Sequence, residues 1–578
     1  MNFDKDQLWA KVRTNPLVKK PDACAKSDAT VSGDDRVNTS EVRHAPKPVP
    51  VVAAEVEVSV APEAASESQV REEASSPEAQ PEQAAALDLA ADPAVGGVLS
   101  VPRPTGAYRL SKVTKLIRAQ DGTIHLEMRD RGNPYAVALS SSQADAIIRD
   151  AAAQEKGVAL RKAEVSDIKY HLQGYAEKAA ISLSIWYRVA PIPGGIEIDS
   201  GNDTHTRFRI TAGKFEIIES GSDVVFYRTA ATLPMTMPAE VGDAKLLQRY
   251  VNMHPATFML LLAWVTFTMA SPKLPTSKYL ILVLQAGEGS GKSALTKLLI
   301  RLIDPNRIGV QKLHRKPTDF AIAAQNAHVV AFDNLRAISP ELADLLCMAS
   351  TGGSISSRQL YTDADQTILN LHVALILNGI HQFVQQQDFA QRTLPLTLRA
   401  MPDSRRKSEE EMAASLAVDL PVIQRGLFDL IARIFERLPS AVVTHPTRML
   451  AFSKWLAAME AVYEVPAGIY QGLYSEALSQ AQLDSLQESL LASAMLGFAE
   501  SLSDGHWHGS PTELLNMLNV QASAGTQRAR DWPQNPIALS KRLIPLQAGL
   551  LSQGVAVELT RGKTRTITIK ATGGTANA

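Results

Sequence analysis

The first hundred residues carry no regular alternation of apolar and polar positions. Residues 16–104 consist largely of Pro, Ala, Glu, Ser and Val and contain no aromatic residue. Such a stretch buries too little apolar surface to offset the entropy lost on ordering, which predicts a disordered arm over residues 1–104. Residues 1–15 are either a docking peptide for a protein partner or a frayed terminus. The apolar positions that would share a helical face there are Phe3, Leu8, Trp9 and Val12.

The pattern changes at residue 105 to short runs with the period of β-strands, and these runs surround one helical stretch, Ser141 to Glu155. We therefore predict an α+β domain over residues 105–238. Its run IEIDSGND contains Glu197, Asp199 and Asp203. These residues are either the metal carboxylates of a primase or parts of two strands that flank a turn, and the turn explains them more simply.

Three further segments with different patterns of apolar residues follow. Residues 239–402 begin with helices and then alternate apolar strands with helices, and residues 403–504 have helical spacing throughout. The apolar run from Phe258 to Ala270 is shorter than the ~20 residues that span a bilayer, so it predicts a buried helix and no membrane anchor. Residues 505–578 give a helix opened by a capping box, a second helix and a basic-tipped hairpin, an order typical of a winged helix.

Composition narrows the class of protein. The 578 residues contain two cysteines, Cys24 and Cys347, which excludes a disulfide framework and a cysteine-rich metal site and indicates a cytoplasmic setting. The N-terminus lacks the apolar segment of a secretory signal. A net charge of -1 conceals ten acidic residues and one basic residue within 52–93, and eight basic and two acidic residues within 521–578. The C-terminal end is therefore strongly basic.

The run from Tyr279 to Ile303 contains the strongest chemical signal. A buried strand leads through AGEGSGKS into a helix, which is the context in which a phosphate-binding loop works. Lys292 would contact the β- and γ-phosphates of ATP, and Ser293 would offer a hydroxyl ligand to Mg²⁺. The loop begins with Ala286 where glycine is usual. The predicted cofactor-binding residues are Ala286, Gly287, Glu288, Gly289, Ser290, Gly291, Lys292, Ser293 and Ala294.

A second apolar strand, HVVAFDN, ends in Asp333, which we predict as the carboxylate that holds Mg²⁺ together with Ser293. Asn334 follows, at a position where many ATPases place a glutamate as the base for the attacking water. An amide cannot accept that proton. Another group serves as the base, or Asn334 only orients water and hydrolysis is slow, or turnover has been lost.

Three further features follow Asp333 along the chain. The strand HVALILNGI ends in Asn378, whose polar end would lie near the γ-phosphate or would simply satisfy a turn. The segment TGGSISSRQLYTD carries Arg358 and Tyr361 on what the pattern predicts as an exposed hairpin. Finally, DFAQRTLPLTL places Arg392 before an apolar run.

The order of these motifs resembles the ATPase core of superfamily III-like helicases, in particular the poxvirus and phage-satellite primase-helicase group and related proteins of prophages and integrative elements. The resemblance is closest over residues 275–400. It implies an α/β P-loop NTPase core of the AAA+ kind, preceded by the disordered arm and the α+β domain and followed by a helical domain and a winged helix. It also implies a ring, usually a hexamer, with ATP at each subunit boundary.

The resemblance also assigns roles within the predicted catalytic set of Lys292, Asp333, Asn334, Asn378 and Arg392. Asn378 would be the sensor, Arg392 would be the finger that reaches a neighbour's nucleotide, and the hairpin would point at DNA in the ring channel. Two departures weaken this picture: the Asp-Asn pair replaces an acidic pair, and Thr362 stands where relatives often have a basic residue. No primase motif precedes the core, so we expect a helicase-like ATPase without primase activity.

DNA is the expected partner of the basic C-terminus, although a winged module that contacts only protein is the alternative. The predicted wing contacts are Arg561, Lys563 and Arg565, with further basic residues at Arg528, Arg530, Lys541 and Arg542. Two functions remain in competition. One is an ATP-driven helicase in the replication of a phage, plasmid or integrated element, and the other is an ATP-switched regulator or defence protein with little unwinding.

Overall fold

The computed structural model describes residues 99–101, 108–110, 112–130, 132–287, 289–314, 316–358, 366–379, 386–400, 408–529, 532–560 and 565–571. Several predictions concern residues outside these ranges, namely the arm up to residue 98 with its docking peptide, Glu288, Tyr361, Thr362, Arg530, Arg561 and Lys563. The arm was predicted to extend to residue 104, but Leu99–Val101 form a strand that pairs with Tyr108–Leu110. The described part of the chain is a mixed α/β protein with several sheets.

The N-terminal part contains two helices and twelve short strands among the described residues. Its helices are α1 (Ser142–Lys156) and α2 (Lys162–Ala179). Its strands are β1 (Leu99–Val101), β2 (Tyr108–Leu110), β3 (Val113–Arg118), β4 (Ile124–Met128), β5 (Tyr135–Ala138), β6 (Ile181–Ser182), β7 (Ile185–Trp186), β8 (Val189–Ile192), β9 (Gly195–Asp199), β10 (Arg207–Thr211), β11 (Lys214–Ile218) and β12 (Val225–Tyr227).

These strands form two larger sheets that pack against different partners. The six-stranded sheet has the order β6-β3-β4-β5-β12-β7 and shares a core with α1 and α2. The four-stranded antiparallel sheet has the order β11-β10-β9-β8. Its inward residues Ile198, Phe208 and Ile210 belong to the core of the central helices that follow in the chain.

Helix α1 begins one residue later than predicted, because the side chain of Ser141 caps it by accepting the backbone N–H of Ala144. Sequence analysis missed α2. Its buried positions are spaced by three and four residues, but tyrosines and a glycine lie between them and obscure the period. These buried positions are Val165, Ile168, Leu172 and Ala176.

The central part is built on a parallel sheet. Its elements are a 3-10 helix (Ala244–Tyr250), α3 (Pro255–Met269), β13 (Ile281–Gln285), α4 (Lys292–Ile303), β14 (Val310–Gln311), α5 (Pro317–Gln325), β15 (Val329–Leu335), α6 (Pro340–Thr351), β16 (Gly353–Arg358), β17 (Gln366–Leu371), β18 (Ala374–Gly379), α7 (Gln387–Ala390) and β19 (Thr393–Thr397). The five-stranded order is β14-β15-β18-β13-β19, with every neighbouring pair parallel.

Helices on both faces explain why the inner strands are continuous apolar runs, since parallel sheets are covered on both sides. All six residues of β18 are buried. The apolar run predicted as a buried helix forms α3, in which Leu261, Leu262 and Val265 are 0% exposed. Among the described residues, none of the helices combines the length and the hydropathy needed to cross a membrane.

Within the segment TGGSISSRQLYTD, residues Gly353–Arg358 form β16, which pairs antiparallel with β17, so that Gly353 faces Leu371 and Arg358 faces Gln366. Gly352 ends α6 with a φ of 83°, in the left-handed region. A side chain at Gly353 would collide with Met348 of the same helix. Both glycines therefore let the chain turn from α6 directly into the hairpin.

The stretch with helical spacing contains a 3-10 helix (Leu438–Ser440) and four α-helices: α8 (Glu409–Arg437), α9 (Leu450–Val462), α10 (Ile469–Glu488) and α11 (Leu490–Glu500). Helix α8 opens with a capping box formed by Ser408 and Glu411. It runs through Pro421, whose carbonyl accepts the N–H of Ala239, and it packs on the four-stranded sheet through Phe428.

The C-terminal part consists of β20 (His506–Gly509), α12 (Pro511–Gln521), α13 (Ala524–Arg528), α14 (Pro536–Ser552), β21 (Val555–Thr560) and β22 (Thr566–Ala571). The predicted capping box of Ser510 and Glu513 is present, and β21 pairs with β22 as expected. Sequence analysis missed α13 and β20, which adds a third strand beside β22. The polar run HWHG that forms β20 lacks the alternation on which strand prediction depends.

Candidate functional site

The loop between β13 and α4 lies at the carboxyl edge of the central sheet. Its backbone turns through Gly289 and Gly291, whose φ values of 70° and 88° are in the left-handed region. Gly291 is also the residue that precedes the first turn of α4, so the helix begins without a capping side chain and presents its free N–H groups to the loop. Such a helix start attracts anions.

Lys292, the first residue of α4, folds back over this loop. Its Nζ donates to the carbonyl oxygens of Ala286 at 2.6 Å and Gly287 at 2.7 Å, and it lies 3.5 Å from the Oγ of Ser290. The lysine cation is thereby held at the centre of the loop rather than on the outer surface of the helix. A cation at this point adds to the positive end of α4.

Ser293 and Asp333 are forty residues apart in the sequence and meet at this edge. The Oγ of Ser293 donates to Oδ2 of Asp333 at 2.7 Å. Asp333 lies near the end of β15, two strands away from β13 across β18. Because the carboxyl ends of parallel strands meet at one edge, the strand order brings this hydroxyl and this carboxylate together at the start of α4.

Asn334 has an unusual backbone. Its φ is 60°, in the left-handed region, and the pairing of β15 with β18 shifts register between Phe332 and Leu335. Its N–H donates to Oδ1 of Asp333 at 2.7 Å. Asparagine tolerates this conformation better than most residues, so the bulge gives a structural reason for the amide at this position. The sequence alone contained no sign of that reason.

Asn378 lies on β18, between the strand that precedes the loop and the strand that carries Asp333. It is 0% exposed, and its Nδ2 lies 3.5 Å from the Oγ1 of Thr296 on α4. Its Oδ1 has no hydrogen-bond partner among the described residues. A buried carbonyl oxygen without a partner is costly, so a polar group is expected to reach it in the working protein.

Arg392 lies at the opposite edge of the sheet. Its carbonyl accepts the N–H of Ile281 at 3.0 Å, at the start of β13. Its guanidinium pairs with Asp388, which also pairs with Arg448 from the helical part. At 3.3 Å per residue, β13 alone separates Arg392 from the loop by about 13 Å. The structure therefore does not bring Arg392 to the loop of its own chain.

The C-terminal part presents exposed cations, of which Lys541 and Arg565 line a groove between α12, α14 and the two last strands. The groove has a volume of about 250 Å³. Its walls also include Ile537 and Ile544, which are 60% and 47% exposed. The predicted wing residues Arg561 and Lys563 and the hairpin residue Tyr361 lie outside the described residues, and of Arg358 the structure describes the backbone.

The carboxylates of IEIDSGND are held by arginines. Asp199 pairs with Arg207 and Arg228, and Glu197 pairs with Arg209. Burial alone would raise the pKa of Asp199, but the two guanidinium groups beside it hold that pKa well below its usual range. Within the described ranges, we find no cluster of three or more metal-ligating side chains. These carboxylates support the two paired strands β9 and β10.

Two solved structures resemble the chain at a distance. The A form apo structure of the NrS-1 C-terminal region is 12% identical in sequence, covers 79% of this chain and 96% of that chain, and has a TM-score of 0.34. Another apo structure of the same region is 11% identical, with the same coverage and a TM-score of 0.31. TM-scores this low do not establish a shared fold. No match was found among curated proteins.

Family comparisons give a closer result. Residues 244–484 match the family described as actinomycete integrative conjugative element replication protein, which is called RepA. Residues 491–577 match the family described as the RepA C-terminal domain of these elements. The two matches follow one another along the chain and together span more than half of it. Over these residues the chain is similar to this family of replication proteins of mobile elements.

Proposed function

We propose that the central sheet binds ATP with Mg²⁺ and hydrolyses it, and that this hydrolysis drives a DNA helicase-like motor in the replication of an integrated mobile element. The contact between Ser293 and Asp333 carries the proposal. A hydroxyl and a carboxylate forty residues apart meet at 2.7 Å beside a glycine-rich loop and a helix start. This is the donor set that a Mg²⁺-nucleotide needs.

Each part of the loop has a role in this proposal. Backbone N–H groups at the start of α4 and the cation of Lys292 bind the phosphate oxygens, which carry the negative charge of the nucleotide. Ser293 and Asp333 fit Mg²⁺ because hard cations prefer oxygen ligands. When bound, the metal neutralises charge on the phosphates. We propose that the orphan Oδ1 of Asn378 accepts a hydrogen bond from a water near the γ-phosphate.

A shared site follows from the position of Arg392. Because it lies at the amino edge of the sheet, a second subunit must supply the cation that stabilises charge on the γ-phosphate. We therefore propose a ring in which Arg392 of one subunit completes the site of the next. A hexamer is the number that the family resemblance implies.

The proposed DNA contacts are the hairpin of β16 and β17 and the basic C-terminal part. Phosphate contacts need cations that solvent can reach, and Lys541 and Arg565 are exposed around one groove. Arg358, Tyr361, Arg561 and Lys563 remain predicted contacts. The strand, helices and hairpin of residues 506–571 have the order of a winged helix, and we propose that this module faces DNA.

The test is ATP hydrolysis with and without single-stranded DNA, followed by displacement of a labelled strand from a fork. We expect hydrolysis that depends on Mg²⁺ and rises with DNA. Lys541→Ala combined with Arg565→Ala should lower the slope of log affinity against log salt by up to about two, since each lost phosphate contact removes ~0.9. Hydrolysis without any strand displacement would contradict the proposed helicase-like motor but would agree with the proposed ATPase.

One observation favours a second function. Asn334 stands beside Asp333 in a left-handed backbone conformation that suits asparagine and disfavours glutamate. A site built around this amide lacks the usual base, so ATP would switch assembly and turn over slowly. In that case the protein is a nucleotide-switched regulator of replication with little unwinding.

A further inference from the structure

A buried ion pair lies at the end of α4 that is opposite to the candidate nucleotide site. Arg188, between β7 and β8, and Asp304, the residue that follows α4, are joined by a bond of 2.8 Å from Nε to Oδ1. Their side chains are 1% and 0% exposed. The partners are 116 residues apart in the sequence. The pair therefore fixes the N-terminal strands to the central sheet at one interior point.

Asp304 also connects two elements of the site. Its Oδ2 accepts the backbone N–H of His328 at 2.6 Å and of Val329 at 3.3 Å, where β15 begins. The same carboxylate thus holds the end of α4 and the start of β15. At their other ends these two elements carry Ser293 and Asp333, which are in contact.

The position of Asp304 is unfavourable by itself. The C-terminal end of a helix carries partial negative charge, which repels a carboxylate, and burial removes the water that would solvate it. Arg188 compensates for both effects. Its guanidinium also donates to the carbonyl oxygens of Asp199, Leu233 and Pro305 at 3.1–3.2 Å.

The backbone of Arg188 is strained as well. Its φ is 62°, in the left-handed region that non-glycine residues seldom adopt. Backbone strain of this kind persists where the surroundings fix the residue, and it is concentrated at functional sites. A buried charge pair, a disfavoured carboxylate and a strained backbone therefore coincide at one contact. The carboxylate of that pair, Asp304, also joins the end of α4 to the start of β15.

We propose that Arg188 is a positioning residue for the metal ligands of the nucleotide site. Through Asp304 it sets how far α4 lies along β15, and this sets the spacing of Ser293 and Asp333. Helix α4 is about 18 Å long and the stretch from Val329 to Asp333 is about 13 Å. Because packed interiors deform little, a shift at Asp304 is transmitted to the other ends. This inference rests on the proposed function.

The experiment titrates Mg²⁺ against the affinity of the full chain for a fluorescent ATP analogue. Arg188→Met removes the guanidinium, and Arg188→Lys keeps the charge but cannot reach all the carbonyl groups. Arg207→Met is the matched control. Arg207 is equally buried and also pairs with an aspartate, Asp199, but its described contacts do not include α4 or β15.

Arg188→Met should raise the Mg²⁺ concentration at half-saturation about tenfold. This is the lower end of the loss seen when a direct partner of a metal ligand is replaced, because Arg188 acts on Ser293 and Asp333 only through Asp304. Arg188→Lys should lie between Arg188→Met and the parent. Affinity for the analogue without Mg²⁺ should change much less, because Lys292 and the helix start move together with Ser293, whereas the metal needs Ser293 and Asp333 at a fixed spacing. Arg207→Met should lower the melting temperature and leave the Mg²⁺ titration at the parental value. If Arg188 only supported the fold, Arg188→Met would likewise lower the melting temperature and leave the Mg²⁺ titration at the parental value.

If Arg188→Met fails to fold, Arg188→Met combined with Asp304→Asn carries the test, since it leaves no unpaired buried carboxylate. A parental Mg²⁺ titration in that variant would overturn the inference and leave the proposed function intact. A parent chain that binds no analogue at any Mg²⁺ concentration would overturn both. The behaviour of the parent therefore separates the two failures.

Discussion

The two edges of the central sheet hold opposite chemistry. The carboxyl edge gathers the glycine-rich loop, Lys292 and the contact of Ser293 with Asp333. The amino edge gathers Arg392, which pairs with Asp388. Because β13 alone separates these edges by about 13 Å, one chain cannot bring both sets to one nucleotide. If Arg392 takes part in hydrolysis, as we propose, it does so at the nucleotide of a neighbouring subunit.

The largest expected effect comes from the carboxyl edge. Lys292→Ala removes the cation that the loop carbonyl groups hold, and we expect hydrolysis of ATP to be abolished while the fold is kept. The control is Lys297→Ala, an exposed lysine of the same helix, which should hydrolyse ATP as the parent does. Parental hydrolysis by Lys292→Ala would show that the loop does not bind the phosphates.

At the amino edge, if Arg392 is the finger that we propose, Arg392→Ala should lower the rate of hydrolysis by ~10³ or more while ATP still binds, which is the loss expected for an arginine finger. Arg448→Ala is the matched control, because Arg448 pairs with the same Asp388 but comes from the helical part. It should retain hydrolysis close to the parental rate. Rates from steady-state assays and affinities from a fluorescent analogue separate the two effects.

Mixing Lys292→Ala with Arg392→Ala tests whether the two edges form one site between neighbouring subunits. Each lacks a different half of the shared site, so rings assembled from Lys292→Ala and Arg392→Ala subunits contain some boundaries with both halves intact. Activity should partly return on mixing. If the mixture stays inactive although the subunits are shown to co-assemble, Arg392 does not complete a neighbour's site and supports only the fold.

Asn334 lies beside the carboxyl edge, at the position where many ATPases have the carboxylate base. Substitutions there test whether the lack of a carboxylate limits hydrolysis. Asn334→Asp adds a carboxylate in a residue type that tolerates the left-handed backbone, and Asn334→Glu adds a longer one. If hydrolysis is slow for want of a base, both should raise turnover. Asn334→Glu should also lower the free energy of unfolding by ~1 kcal/mol relative to Asn334→Asp.

Asn334→Gly is the control, because it keeps the backbone conformation and removes the amide. If it leaves the rate unchanged while the two carboxylates raise it, the amide has no role of its own. A fall in rate in all three variants, measured by phosphate release, would mean that Asn334 orients the water.

The two edges also differ in how far the sequence predicts them. The carboxyl edge is built from contiguous motifs: apolar strands, their polar ends and a glycine-rich loop. Its residues could therefore be predicted one by one from the sequence. Whether those residues bind nucleotide remains a prediction. The amino edge depends on pairs such as Arg392 with Asp388 and Arg448, whose partners come from separate elements.

Other features were missed for related physical reasons. The pair of Arg188 with Asp304 joins residues 116 positions apart, and no local pattern marks either partner. The left-handed backbone of Asn334 comes from a bulge that depends on the neighbouring strand. Strand β14 has two half-buried residues, too few to show a period. Tertiary context, rather than local propensity, decides all of these.

A last expected effect, on stability rather than on activity, concerns two histidines at the amino edge. His328 precedes β15 and His372 precedes β18. Burial lowers the pKa of each to about 4. For His328 this outweighs the nearby carboxylate of Asp304, which acts in the opposite direction. In the unfolded chain an imidazole titrates near 6.5. Both histidines are therefore neutral in the fold at pH values where the unfolded chain protonates them.

This difference gives the sign of the pH dependence. Between about pH 6.5 and 4 the unfolded chain binds more protons than the fold, so the free energy of unfolding should fall as the pH falls through this window and should be insensitive to these histidines above it. Each contributes a slope of up to ~1.4 kcal/mol per pH unit. Urea unfolding at pH 7.5, 6 and 5 measures the slope. Replacing both by Gln should flatten it, whereas His506→Gln, a change at an exposed strand position, should not. An equal slope in all three proteins would mean that the amino edge contributes no acid lability and that carboxylates elsewhere set it.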